Sequence, residues 1–339
     1  MFVRTAFVVS VLLLSACQPQ PSKQYARYNG SSMGTYYQVT VVAQTDQDLS
    51  ALAQQIEDEL QAVDQSMSTY TQDSQVSQFN RSTANQPFAL SEPLRQVIAE
   101  ALLISQQSEG AFDITVGAAV RIWGFGADHS ISGKPTAEQL LTLRESSSYT
   151  QLQLNANRLS KLHSDTTIDL SAIAKGFAID QVARMLTQQG ISNYLVEVGG
   201  ELRASGRNGD NHVWRVAIEK PELLGGVQQV IELDNTAIAT SGDYRNFVTI
   251  DGEHYAHTID PRTLAPARNR LASVSVLSTN ASTADALATA MMVMGEEQAY
   301  AFAVKNKLAA FFIVRGVEPN TLNLQVTDQF RATFLPQSG

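Results

Sequence analysis

Strand-like and helix-like stretches follow one another from Tyr36 to Val314 without a strict strand–helix–strand rhythm. That irregular mixture limits the fold more than any other feature, because a doubly wound parallel sheet needs the regular alternation. Tyr36–Ala43 is β-branched and strand-like. Leu49, Leu52, Ile56, Leu60 and Val63 recur at spacings of three and four, which predicts a helix over 49–67. Ser91 followed by Glu92-Pro93 opens a second helix, with Gly110 beyond its end. The residues also predict short strands at 152–154 and 167–170 and a helix over 172–189. Further strands are expected at 193–198, 214–218 and 229–233. Asp251-Gly252 between 247–250 and 253–259 reads as a hairpin turn. A strand at 271–277, a helix over 282–294 and a strand at 309–314 complete the series. No long linker interrupts it, so the expectation is one large α+β domain with largely antiparallel sheets and packed helices, over residues 30–339.

Composition removes several function classes. The formal net charge is −9, which argues against a nucleic-acid binder, since displacing counterions needs a basic surface. A single cysteine excludes a disulfide framework and any cysteine-built zinc or iron–sulfur site. That cysteine closes the run MFVRTAFVVSVLLLSAC. Arg4 supplies a positive start, and Ala6–Leu14 is apolar except for Ser10 but too short for an ordinary membrane span. Leu14-Ser15-Ala16-Cys17 resembles a bacterial lipobox. It implies a signal peptide over 1–16, a diacylated Cys17 and a polar tether over 17–29. The chain would then be lipid-anchored to a membrane and face the periplasm.

Several motifs admit both a chemical and a structural reading. Gly30-Ser31-Ser32-Met33-Gly34 matches the G-x-S-x-G elbow of serine hydrolases, but an elbow needs a strand before it and a helix after it. Here a tether is expected before and a strand after. His254 and His257 are three apart, which on a strand points them to opposite faces and argues against a shared metal. Asp285 and Thr289, four apart on a helix, share a face. A carboxylate beside a hydroxyl suits Mg²⁺, while an acid near a helix start also simply complements the dipole. Asp169–Gly176 runs from a strand end into a helix, where free N–H groups and Lys175 suit an anion or merely cap the helix. Thr240–Asn246 reads as a polar turn.

Nine blocks together resemble the ApbE family of FAD:protein FMN transferases. They are SSMGT (31–35), MSTY (67–70), FDITVG (112–117), WGFG (123–126), DLSAIAKGFAID (169–180), NYLVEVGGELR (193–203), ATSGDYRN (239–246), HTIDPRT (257–263) and TADALATA (283–290). The resemblance implies an ApbE-like mixed fold and Mg²⁺-dependent transfer of FMN from FAD to a threonine hydroxyl of a target protein, with release of AMP. It implies FAD contacts from Met33, Tyr70, Ala111, Phe112, Asp113, Asp169, Lys175 and Ile259. Asp285, Thr289 and the Ala172 carbonyl would hold Mg²⁺, and His257 would act as the base. The acceptors it implies are subunits of Na⁺-translocating NADH:quinone reductase or of Rnf-type complexes. Two departures touch the site: Ala288 is aspartate in some members, and Lys175 is glutamate in some. A Mg²⁺-dependent FAD pyrophosphatase and a non-catalytic flavin-binding lipoprotein would share the same site.

Overall fold

In a computed structural model of the chain, which describes residues 23–126, 133–222, 225–244, 247–318 and 321–334, eight strands form one sheet. They are β1 (Lys23–Ser32), β2 (Thr35–Gln44), β3 (Tyr194–Val198), β4 (Glu201–Ser205), β5 (Ala237–Gly242), β6 (Leu271–Ser278), β7 (Ala309–Arg315) and β8 (Leu322–Val326). Spatial order equals chain order, and every neighbouring pair is antiparallel. The expected α+β class with antiparallel pairing is what the chain adopts.

The alternation along the strands divides the core in two. Val39, Val41, Val196, Val276 and Phe312 point to one face and pack under four helices. These are α1 (Leu52–Met67), α2 (Glu92–Gln107), α3 (Ala174–Gln188) and α4 (Ala281–Met294). Leu52, Ile56, Leu60 and Val63, the periodic residues of α1, are all buried there. Val42, Ala204, Ile238, Phe311 and Ile313 point to the other face. They meet a hairpin of Trp214–Glu219 with Val227–Leu233, and Phe330. A side chain stays on one face at every second residue, so a slip of one position would exchange the two cores. A third, smaller cluster joins Trp123, Ile250, Tyr255, Ile259 and Leu264. The Trp123 indole N–H donates to the Leu264 carbonyl at 2.8 Å.

Four expectations change. The tether expected over 17–29 gives way to β1 from Lys23, paired along β2 from Lys23↔Gln44 to Ser32↔Thr35. Gln24, Ala26, Tyr28 and Gly30 are its half-buried row. The strand expected at 167–170 shrinks to one bridge, Thr167 with Val116, because the Asn80 side chain takes both backbone groups of Ile168. The strand expected over 253–259 stops at Ala256, and His257 lies in a bend before Ile259–Asp260. Of the polar turn expected at 240–246, residues 240–242 instead end β5, and Asp243-Tyr244 form a bend after it. Residues 1–16 and Cys17 lie outside the described residues, as do Arg245 and Asn246. Among the described residues no helix is long and apolar enough to cross a membrane.

Two contacts set where α4 sits. Asp180 of α3 caps its N-terminus, accepting from the amides of Ala281 and Ser282 at 3.0 Å each, and pairs with Arg203. Gly176 of α3 lies against the Ala281 carbonyl, so close that a β-carbon would stand 2.3 Å from that oxygen.

Lys161 anchors the segment that leads into α3. It is fully buried, donates to the carbonyls of Asn80 at 2.8 Å and Thr166 at 3.0 Å, and lies over the Phe79 ring. Burial pushes its ammonium below the ordinary lysine range. Lys161→Met would leave two carbonyls without their donor. We expect a loss of about 2 kcal/mol in urea unfolding, given a net ~1 kcal/mol per bond and more for a charged donor. An unchanged midpoint would mean that the segment re-pairs elsewhere.

Candidate active site

The candidate site lies at one end of the sheet, where two tight turns meet the start of α3 and the face of α4. Met33-Gly34 joins β1 to β2 in two residues, with φ of 53° and 73°. Both values are left-handed, which is the conformation that a two-residue hairpin in a twisted sheet requires. Gly34 meets that demand without strain, and Met33 does so against its preference. Strand precedes and strand follows, so the G-x-S-x-G match is a hairpin and not a nucleophile elbow. The second turn is Gly199-Gly200 between β3 and β4, again with both φ positive. A β-carbon at Gly199 would touch Thr35 at 3.0 Å and the Lys175 stem at 3.5 Å. These two turns and the lysine therefore adjoin one another.

Lys175, in the first turn of α3, is the centre of charge. Its Nζ lies 3.3 Å from Glu201 Oε1 and 3.6 Å from Asp285 Oδ2, and donates to the Ser171 carbonyl at 3.0 Å. Burial alone would lower its pKa, but the two carboxylates outweigh burial and hold it charged. Burial raises Asp285 and Glu201 above the ordinary carboxylate range; the Lys175 charge pulls both back. Asp285 and Thr289 stand on one face of α4, as their spacing implied. Thr289 Oγ1 is 3.2 Å from Ser241 Oγ on β5.

The local backbone bears on whether these groups suit a cation. A regular helix would pair the Gly176 N–H with the Ala172 carbonyl four residues back. Here the Gly176 N–H donates to Asp285 Oδ2 at 3.3 Å, so that carbonyl is not committed to it. α3 itself begins only at Ala174. One carboxylate, one hydroxyl and one carbonyl are hard oxygen donors of the kind Mg²⁺ accepts, with water or phosphate completing its shell. Among the described residues no group of three or more His, Cys, Asp or Glu is placed to hold a metal ion.

The remaining positions form a rim and a floor. Tyr70 is 60% exposed; burial and then the charge of Asp169 raise the pKa of its hydroxyl. Its hydroxyl is 3.4 Å from the Phe125 carbonyl, and the Phe125 ring meets His257 edge-on at 6.5 Å. Asp169 Oδ1 accepts from the Ser171 amide at 2.8 Å. Both histidines are exposed; His254 bonds Thr249 and packs on Phe247, while His257 meets Phe125. Ala111, Phe112 and Asp113 are buried. Asp113 accepts from Thr115 N at 2.8 Å, Thr115 Oγ1 at 2.7 Å and Tyr149 N at 2.7 Å, so its carboxylate holds the loop in shape. Ile259 is buried in the third cluster, behind His257. Glu201 and Ser241 are site neighbours that the sequence reading did not single out. Both lie within blocks that it quoted.

Residues 33–312 match the model of the ApbE family. The chain belongs to the ApbE family. A Vibrio cholerae protein named FAD:protein FMN transferase is 44% identical over 310 residues, which cover 91% of this chain and 92% of that one. One from Escherichia coli K12 with the same name is 35% identical over 347 residues, covering 99% and 98%. The structure of the flavin transferase ApbE from Vibrio cholerae superposes with a TM-score of 0.84 at 40% identity, covering 93% of this chain and all of that one. The Pseudomonas stutzeri flavinyl transferase ApbE gives 0.85 at 35% identity, covering 92% and 97%. The ApbE fold is thus established for this chain, from the sheet to the helices that carry the site.

Proposed function

We propose that this ApbE-family chain is a Mg²⁺-dependent FAD:protein FMN transferase. It moves FMN from FAD to a threonine hydroxyl of a target protein and releases AMP. The observation that carries the reading is the Asp285–Thr289 pair on one face of α4, with the Lys175 charge next to Asp285 and the Gly176 N–H turned to Asp285 instead of the Ala172 carbonyl. Relatives that bear the transferase name at up to 44% identity support it.

In this reading the threonine oxygen attacks the FMN-side phosphorus. The bond from that phosphorus to the bridging oxygen breaks, and AMP leaves with the oxygen and its electron pair. His257, exposed and braced by the Phe125 ring, takes the threonine proton as it attacks. Asp285, Thr289 and Ala172 would hold Mg²⁺. Bound there, it would offset the charge that builds on the phosphoryl oxygens. Lys175 places a cation beside dianionic FAD in a chain whose net charge is −9. Tyr70 and Met33 offer the flavin an aromatic and a deformable wall; Ala111, Phe112, Asp113 and Ile259 are the buried members of the contact set. Asp169 fixes the turn that opens α3.

The lipobox-like start extends the proposal to a chain cleaved before Cys17 and lipid-anchored on the periplasmic side. Its acceptors would be subunits of Na⁺-translocating NADH:quinone reductase or Rnf-type complexes. The deciding experiment incubates the chain with FAD, Mg²⁺ and a soluble acceptor domain. Flavin fluorescence on a denaturing gel and free AMP are scored together. Fluorescence that needs both Mg²⁺ and the acceptor threonine is the expected result. AMP without labelled acceptor for any candidate would favour an FAD pyrophosphatase. Bound FAD with neither product would favour a flavin-binding protein.

A further inference from the structure

Lys175 has one carboxylate more than its charge needs. Asp285 alone would neutralise it, yet Glu201 is also brought to 3.3 Å of its ammonium. The Glu201 side chain is only 8% exposed and that of Asp285 5%. Glu201 Oε2 is buried and has no hydrogen-bond partner among the described residues. Burying an acid with one oxygen unpaired is unfavourable unless some state of the protein uses it. A state that does so arises when Asp285 turns to another cation.

We propose that Lys175 stands in for the divalent cation at Asp285, and that Glu201 is the positioning residue that receives its ammonium when the metal takes Asp285. The inference rests on the metal reading above. A lysine suits the exchange: its charge is compact, its stem is flexible and its three donors rotate freely. The distance it must cover is small, because it already touches both acids. The Gly199-Gly200 turn lies against its stem and limits where else it can go. Loading the metal then leaves no acid unpaired. Asp285 holds the metal, and Glu201 holds the lysine at the rim where the pyrophosphate of FAD would lie. Before loading, the lysine keeps Asp285 from standing as a lone buried charge.

The two partners therefore affect metal affinity in opposite directions. Calorimetric titration of the chain with Mg²⁺ in the absence of FAD reads this directly. Lys175→Met removes the competitor and should tighten Mg²⁺ binding about tenfold. Glu201→Gln removes the lysine's alternative partner and should weaken it about tenfold. Charges a few ångströms apart in a half-buried site interact strongly enough for such shifts. A purely structural role for either residue would weaken binding in both variants, and that result overturns the proposal. Unchanged affinity in both overturns it as well. No Mg²⁺ binding by the native chain, with or without FAD, overturns the metal reading itself and the exchange with it. Should either variant fail to fold, the native chain decides. With ¹⁵N-labelled lysine, the Lys175 ammonium signal should move on addition of Mg²⁺, and a signal that stays in place counts against the exchange.

Discussion

Replacing Asp285 by alanine is expected to lower flavin transfer and AMP release by about a hundredfold or more, while the chain stays folded. Asp285 is the only carboxylate in the donor set proposed for it with Thr289 and the Ala172 carbonyl. Removing a preorganised group that faces developing charge typically costs about 10²–10³ in rate, and loss of a metal's charged ligand belongs in that class. The fold should survive because Glu201 remains 3.3 Å from Lys175 and keeps its charge compensated. What the fold loses is chiefly the acceptor for the Gly176 N–H, a matter of about 1–2 kcal/mol. The assay is labelled acceptor and AMP against time, with thermal unfolding run alongside. Normal turnover in the variant would remove Asp285 from the metal site. Full loss of turnover with FAD still retained would separate the chemistry from flavin binding.

The second large effect is on stability. Gly176→Ala would normally strengthen a helix by about 1 kcal/mol. Here the added β-carbon would stand 2.3 Å from the Ala281 carbonyl oxygen and 2.6 Å from the Ser282 amide nitrogen. Both belong to the backbone at the start of α4, where Asp180 accepts from the Ala281 and Ser282 amides, so neither can swing aside as a side-chain tip would. Overpacking of this kind costs about 3 kcal/mol and more when the backbone must move, so the clash outweighs the propensity gain. The expected drop in the unfolding midpoint is about 5 °C or more. Activity should fall with it, because α4 carries Asp285 and Thr289. A Gly176→Ala chain of unchanged stability would show that the α3–α4 crossing can widen.

Much of this was legible along the chain, and the failures have a common cause. The α1 pattern placed Leu52, Ile56, Leu60 and Val63 correctly because burial of a helix face is written in spacing. That Asp285 and Thr289 share a helix face is likewise written in their spacing. β1 escaped because its residues are mostly polar, and what makes it a strand is its backbone ladder to β2, to which side-chain type is nearly blind. Thr167–Leu170 has strand-like residues but loses its ladder to one distant side chain, Asn80. Glu201 was hidden for a related reason. Its place beside Lys175 depends on the Gly199-Gly200 turn, which folds β4 back toward the start of α3. The ApbE resemblance recovered the family and fold from ordered blocks, which local periodicity does not resolve.

Because spatial strand order repeats chain order, each long excursion from the sheet leaves and returns on adjacent strands. Residues 45–193, 206–236, 243–270 and 279–308 are four such loops, and none has to thread past another. The entropy of closing a loop grows only with the logarithm of its length. Any one excursion can therefore lengthen or shorten over evolutionary time without disturbing the register of its base. The hairpin in 206–236 covers the sheet face remote from the helices that carry Lys175 and Asp285. Its outer surface can thus change toward new neighbours without touching the helices that carry Lys175 and Asp285.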